Sequence, residues 1–230
     1  MSKLRLIGDV HAPLEEYIKL ASGADYSIQV GDLGFNYVGI EALDPTRHRV
    51  LAGNHDNYFT TDDGKCFDNQ TAHFLGDYGT LQLPDCPSIF YVRGGRSIDR
   101  HNRTDGVDWF PHEELSYRQL SEAIFAYSQA KPEVVISHEC PAFLVNEVVR
   151  ENRGMRQSTT AHALEAMWTN HQPKAWFFGH FHHDWSISFR GTYFRCLDIR
   201  TTYDVPMPFK AEEMESTATM NSLELWRKPV

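Results

Sequence analysis

No apolar run in these 230 residues is long enough to span a bilayer, and the N-terminus, MSKLRLIGDV, has no signal-peptide core. No membrane association is expected. The four cysteines, Cys66, Cys86, Cys140 and Cys196, lie far apart and form no C-x-x-C pair. That excludes a cysteine zinc knot and a disulfide framework, and it fits a reducing, cytoplasmic setting. Basic charge is also scarce: 22 Lys and Arg stand against 31 Asp and Glu, for a formal net charge of −9, with no long basic run. An electrostatic grip on duplex nucleic acid is therefore not expected. A nucleotide or a single phosphate remains open, because it needs only a local positive site. Internal repeats and low-complexity linkers are lacking too.

What the chain has is one recurring device. A short apolar run ends in glycine or serine and is followed at once by Asp, Asn or His. It occurs in LRLIGDVH (4–11), SIQVGD (27–32), HRVLAGNHD (48–56), EVVISHECP (133–141) and AWFFGHFHH (175–183). Each run reads as a buried strand leaving a sheet. Helical patterns lie between them. Over 12–21, Pro13 stands in the first turn and Leu14, Tyr17, Ile18 and Ala21 form a stripe. Over 117–129, a Ser116–Gln119 capping box precedes an apolar face of Tyr117, Leu120, Ile124 and Tyr127. Over 159–169, Leu164, Met167 and Trp168 fall together. Strands alternating with helices predict an α/β domain, and groups at the carboxyl ends of its strands share one crevice.

The stretch 57–112 breaks this rhythm. YGTLQL and SIFYV read as an antiparallel pair, and RGGRSIDRHNRTDGVDWFP reads as a long functional loop. The expectation is one domain over 1–230, with 57–112 as an excursion covering the site. The tail is expected to carry an edge strand, SLELW.

Taken singly, an aspartate after a strand is a turn residue and a histidine is a hydrogen-bonding group. Together, Asp9, His11, Asp32, Asn54, His55, His138, His180 and His182 bring two carboxylates, five imidazoles and an amide to one face. A single zinc needs three or four ligands, so this supply suggests two metals sharing one, and a carboxylate suits the shared place. Imidazole and oxygen donors without thiolate suit Mn, Fe, Zn or Ni better than Mg or Ca, with Mn preferred. Two divalent ions about 3.5–4 Å apart clamp an in-line phosphoryl displacement and activate water. The pattern points to phosphoester hydrolysis.

In order, the motifs GD-x-H, GD, GNHD, SH and GH-x-H resemble those of the calcineurin-like metallophosphoesterase superfamily, over residues 8–182. The resemblance implies a four-layer sandwich of two mixed β-sheets flanked by helices. It also implies Asp9, His11 and His182 on one metal, Asn54, His138 and His180 on the other, and Asp32 bridging. His55 corresponds to the histidine that meets substrate and protonates the leaving oxygen; Asp56 joins it in a supporting catalytic role. His183 lies outside the pattern. Protein phosphatases of the superfamily carry GD-x-x-DRG, whereas this chain has GDLGFNY, with Phe35 and Asn36 in place of the Asp and Arg. The residue that orients His55 is thus unassigned. The tract YVRGGRSIDRHNR…GVDWFPHEELS resembles that of short bacterial and phage phosphoesterases.

The expected activity is a phosphodiesterase or phosphatase on nucleotides or other small phosphoesters, with metal-activated hydroxide attacking in line. A broad phosphomonoesterase or protein phosphatase is the second reading, and a non-catalytic scaffold is the third. The scaffold fits least, because no ligand position is lost. Of Arg93, Arg96, Arg100 and Arg103, Arg96 and Arg100 are the candidate phosphate contacts. Trp109 and Phe110 are read as loop anchors, and Cys140 as packing.

Overall fold

The five apolar runs become strands because each alternates between two buried environments. In the computed structural model, which describes residues 3–58, 72–149, 158–206, 209–210, 214 and 216–217, they are β1 (Leu4–Ile7), β2 (Tyr26–Gln29), β3 (His48–Val50), β6 (Val134–Ser137) and β7 (Ala175–Phe178). The expected antiparallel pair is β4 (Tyr78–Leu81) with β5 (Ile89–Val92). Three further strands, β8 (Trp185–Phe189), β9 (Thr192–Cys196) and β10 (Thr202–Val205), complete two mixed sheets. Their orders are β10-β1-β2-β3 and β4-β5-β6-β7-β9-β8. Within them β1, β2 and β3 run parallel, as do β5, β6, β7 and β9. Strands β4, β8 and β10 are antiparallel additions.

The period of two is visible in the core. Val134 and Ile136 of β6 and Ala175 and Phe177 of β7 meet Leu4, Leu6, Ile28 and Val30 of the other sheet. Their neighbours Val135, Trp176 and Phe178 turn the other way, against α2 (Tyr117–Ala130) and α4 (Thr159–Asn170). On the far side, Ile7 and Val50 pack with Leu14, Tyr17 and Ala21 of α1 (Leu14–Ala21). The layers are therefore α1, the smaller sheet, the larger sheet, and α2 with α4. Burying one side chain of the size of Phe177 contributes roughly 1.5–3 kcal/mol, so these double-faced strands hold the sheets together. Among the described residues no helix is long and apolar enough to cross a membrane.

Two local expectations shift. Helix α1 begins at Leu14 with Pro13 as its N-cap, not at residue 12. Helix α2 keeps its Ser116–Gln119 capping box, but it buries Leu120, Ala123 and Tyr127. Tyr117, expected on that face, is 78% exposed: the buried stripe is rotated from the one its aromatic ring suggested. Within 57–112, β4 and β5 are part of the larger sheet, through the β5–β6 ladder. The SLELW segment lies outside the described residues.

Candidate metal centre

Strands β1, β2, β3, β6 and β7 each end in a turn that brings one or two side chains to the same place. The turns are tied to one another by polar contacts. Val10 N and His11 N donate to Asp32 O, at 2.9 and 3.2 Å. His180 N donates to the Asp9 carboxylate, 3.0 Å from Oδ2. His55 N donates to Asp32 Oδ1 at 2.6 Å. The glycines in front of these residues are there for space. A Cβ on Gly31, whose φ is +116°, would strike the His138 ring, and one on Gly179 would strike the Asp9 carboxylate. His11, Asp32, His180 and His182 all have left-handed φ, between 44° and 70°. That conformation costs about 1–2 kcal/mol per non-glycine residue, and its concentration here marks a functional site.

Two groups result. Asp9, His11, Asp32 and His182 form one, and Asp32, His138 and His180 the other, each with its donor atoms within 4.8 Å of one another. In the first, His182 Nε2 is 3.2 Å from Asp9 Oδ2. His11 Nε2 is 3.4 Å from Asp32 Oδ2 and 3.1 Å from His182 Nε2. In the second, His138 Nε2 lies 3.3 Å from Asp32 Oδ1, 3.0 Å from Asn54 Oδ1 and 3.2 Å from His180 Nδ1. His180 Nδ1 is 2.8 Å from the same Asn54 oxygen. Asp32 thus turns one oxygen to each group.

The donors are oriented from behind. His138 Nδ1 donates to Val30 O at 3.1 Å, which leaves the Nε2 lone pair facing the group when the ring is neutral. Asn54 Nδ2 donates to Ser97 Oγ (3.2 Å), which in turn donates to Glu113 Oε2 at 2.5 Å. This chain fixes the amide with Oδ1 toward the two imidazoles. Glu139, buried behind His180, accepts from Ser158 Oγ at 2.6 Å; burial pushes its carboxyl up to about 7.

The residues fit divalent cations. Nitrogen and carboxylate or amide oxygen donors converge with lone pairs facing one another, an arrangement that is repulsive without positive charge at its centre. Neighbouring donors bound at about 2.1 Å in a tetrahedral site lie roughly 3.4 Å apart, close to the separations found here. Each group also favours positive charge. Burial opposes an imidazolium at His138, but Asp32 outweighs it and carries the ring up to about 10. A hydrogen bond to Asp9 raises His182. Burial and the charge of His138 push His180 well below its ordinary value.

His55 stands at the edge of the first group, its ring 4.6 Å from that of His11 and nearly perpendicular to it. Its Nε2 faces Arg103 Nη2. Burial, reinforced by the Arg103 charge, pushes the imidazole down to about 4. Arg103 is almost enclosed, with its side chain 5% exposed, and pairs with Asp99 Oδ1 at 2.8 Å. It also donates to Asn54 O at 3.2 Å. Arg96 and Arg100, the arginines expected at a phosphate, have partners other than His55: Arg96 N donates to Glu139 Oε2 at 3.4 Å. Arg96 is exposed, and the Arg100 guanidinium lies 3.6 Å from the centre of the Trp109 ring. Arg93 is buried on Asp77. Asp56 acts from behind the donor groups: its carboxylate accepts from Asp32 N (2.9 Å), Gly53 N (2.7 Å) and Gly34 N (3.1 Å), and so holds the turns. Adjacent side chains diverge, and burial with the Asp32 charge pushes Asp56 up to about 7. His183 belongs to neither group. Phe110 is buried beneath the loop, and Cys140 is buried with its thiol pushed well up by burial.

Ser97 and Glu113 were not singled out by sequence, and Arg103 only as one of four arginines. Arg103 and Ser97 lie in the tract read as a loop, and Glu113 lies two residues beyond it.

The profile of the calcineurin-like phosphoesterase family matches residues 3–184. No curated protein sequence matches the chain. Among solved structures, phosphopantetheinyl hydrolase from Mycobacterium tuberculosis aligns over 86% of this chain and 90% of its own, at 13% identity and TM-score 0.48. A phosphatase from Mycoplasma pneumoniae aligns over 86% and 72%, at 15% identity and TM-score 0.45. GAP50, the anchor in the inner membrane complex of Plasmodium, aligns over 86% and 72%, at 9% identity and TM-score 0.47.

Proposed function

The chain belongs to the calcineurin-like phosphoesterase family and is a hydrolase acting on phosphoesters, and from that premise we propose that it cleaves a nucleotide or another small phosphoester at a two-metal centre. The observation that carries this reading is Asp32, which turns Oδ1 to one donor group and Oδ2 to the other. Asp9, His11 and His182 would hold one ion, Asn54, His138 and His180 the second, and Asp32 both. Manganese is the proposed metal, because nitrogen and oxygen donors without thiolate suit Mn, Fe, Zn or Ni. When bound, such a pair would supply positive charge to phosphoryl oxygens and lower the pKa of the attacking water.

The remaining steps fall to the protein. Arg103, preorganised by Asp99 and the Asn54 carbonyl, presents its guanidinium beside His55 and would hold a non-bridging phosphate oxygen. In the resting geometry His55 is neutral. A phosphoester anion that draws Arg103 toward itself removes a cation from Nε2 and adds an anion nearby. Both effects favour a proton on Nε2, from which His55 would protonate the departing oxygen. A panel with Mn²⁺ tests the reading: nitrophenyl mono- and diesters, 2′,3′- and 3′,5′-cyclic nucleotides, nucleoside monophosphates and single-stranded nucleic acid. Hydrolysis of none of them would overturn it.

Three outcomes are specific to this geometry. Arg103→Ala should lower kcat/KM by about 10- to 100-fold with metal content unchanged, in line with loss of a charge-assisted contact. Arg96→Ala and Arg100→Ala should each change it less than threefold. An Arg103 variant with wild-type kinetics would return that residue to a purely structural part. Ser97→Ala should weaken one of the two metal equivalents by about 10- to 100-fold, the usual cost of removing a group that orients a ligand. Ser97→Thr should restore it, and unchanged affinity in the alanine variant would remove Asn54 from the ligand set. The third outcome concerns pH. Asp32 raises His138 to about 10, so at neutral pH an entering cation displaces its proton. Metal affinity should therefore rise with pH, by up to about tenfold per unit for each proton released. Calorimetry in buffers of different ionisation enthalpy reads that release directly, and buffer-independent heats would contradict it.

A further inference from the structure

A cleft of about 540 Å³ opens beside the metal centre, with His11 and His55 at its inner end and Phe35, Asn36, Val38 and Glu15 along its walls. Its size is that of a small-molecule site. Two features separate it from ordinary surface. Phe35 is 39% exposed and Val38 83% exposed, so two of the few exposed large apolar side chains among the described residues line this cleft. Phe35 leans on the buried Phe110, at 6.4 Å between ring centres, so it is braced from one side and open on the other. The second feature is charge. No lysine or arginine among the described residues lines the cleft, while Glu15 does. The positive end of α1 is offset by Glu15 and Glu16 in its first turn. Among the described residues, the cation in contact with His55 is Arg103, and Arg200 is turned to the backbone oxygens of Val10 and His11. Asn36 Oδ1 accepts from Val38 N at 3.1 Å, which leaves its Nδ2 as a donor toward a neutral acceptor.

We propose that this cleft is the leaving-group subsite, and that it takes an uncharged flat ring carried by the ester oxygen, stacked against Phe35. This rests on the phosphoesterase reading above. A phosphoryl group held by Arg103 and the donor groups presents its departing oxygen to His55, and His55 lines the cleft, so whatever leaves enters it. The ring is supplied by an aryl ester or by the base of a nucleoside ester. A leaving group with a carboxylate or second phosphate meets Glu15 and no counter-charge, and is disfavoured.

The test compares Phe35→Ala and Glu15→Gln with the wild-type protein in Mn²⁺, on ethyl phosphate, phenyl phosphate, 4-carboxyphenyl phosphate and adenosine 5′-monophosphate, or on their methyl diesters if only diesters are cleaved. Comparing variant with wild type on each ester cancels intrinsic reactivity. Loss of one ring-stacking contact is worth about 5- to 100-fold. Phe35→Ala should therefore lose that much in kcat/KM on phenyl phosphate or the nucleotide, and much less on the ethyl ester. The larger of the two ring losses identifies the natural source. Glu15→Gln should improve the 4-carboxyphenyl ester relative to the phenyl ester. Equal losses on ethyl and ring esters, or no loss on any, overturn the subsite. If the wild-type protein cleaves nothing, the hydrolytic reading fails separately. The cleft is then judged by NMR titration of the metal-free protein with adenosine and with phenol. Saturable shifts at the Phe35 and Val38 amides that Phe35→Ala abolishes support it, and their absence rejects it.

Discussion

Asp32→Ala should reduce bound manganese from two equivalents to none and lower hydrolysis by at least ~10⁴-fold, since without metal the attacking water keeps a pKa near 15.7 instead of about 7. His182→Ala should behave differently. Its side chain is 43% exposed at the rim of one donor group, so it should cost one equivalent and leave the other in place. The contrast follows from the two Asp32 oxygens, 3.4 Å from His11 on one side and 3.3 Å from His138 on the other. Asp32 Oδ1 also accepts from His55 N, and alanine there leaves a buried amide without its partner. Asp32→Asn retains an acceptor and serves as the folding control, with circular dichroism and thermal melting as readouts. Elemental analysis after gel filtration in Mn²⁺ decides the matter. One equivalent retained in a folded Asp32 variant would separate the two groups and end the shared-ligand reading.

The amino acids disclosed the donor groups more readily than their surroundings, for a physical reason. A ligand at a strand end is set by a local pattern: an apolar run to make the strand, a glycine to clear the turn, and the side chain itself. The five strands β1, β2, β3, β6 and β7 stand where that pattern put them. The β8–β9 hairpin also has a local pattern, WSISF and TYFRC around Arg190 and Gly191. The pairing of β10 with β1, Leu4 opposite Val205, joins distant segments and has no local signature. The arginines are the clearest case of what sequence leaves open. Four of them fall within eleven residues, all equally suited to phosphate. The one that turns inward is chosen by a single 3₁₀ turn at Arg100–Asn102 and by the Asp99 ion pair four residues back from Arg103. Arg96 is exposed, and the Arg100 guanidinium lies over the Trp109 ring.

The sharpest expectation about mechanism concerns His55. Nitrophenolate is a good leaving group and needs little protonation, whereas an alkyl or nucleoside alkoxide needs a great deal. If His55 supplies that proton, His55→Ala and His55→Asn should lose about 10²–10⁴-fold on a nucleoside or alkyl ester and far less on a nitrophenyl ester. Both variants should retain both metals, because His55 stands beside the first donor group without belonging to it. The pH profile sharpens the distinction. In the resting protein burial and the charge of Arg103 hold the imidazole near 4, so the free protein at neutral pH lacks the proton. Arg103→Ala removes one of the two opposing effects, and His55 should then charge at higher pH. The alkaline limb of kcat/KM on the nucleoside ester, along which His55 loses its proton, should move upward with it. That shift requires a working proton at Nε2 and would not follow from a merely structural Arg103. Equal losses on good and poor leaving groups would make His55 a phosphate-positioning residue. Loss of metal from His55→Asn would make it a ligand, and the division of the centre into two donor groups with His55 outside them would have to be redrawn.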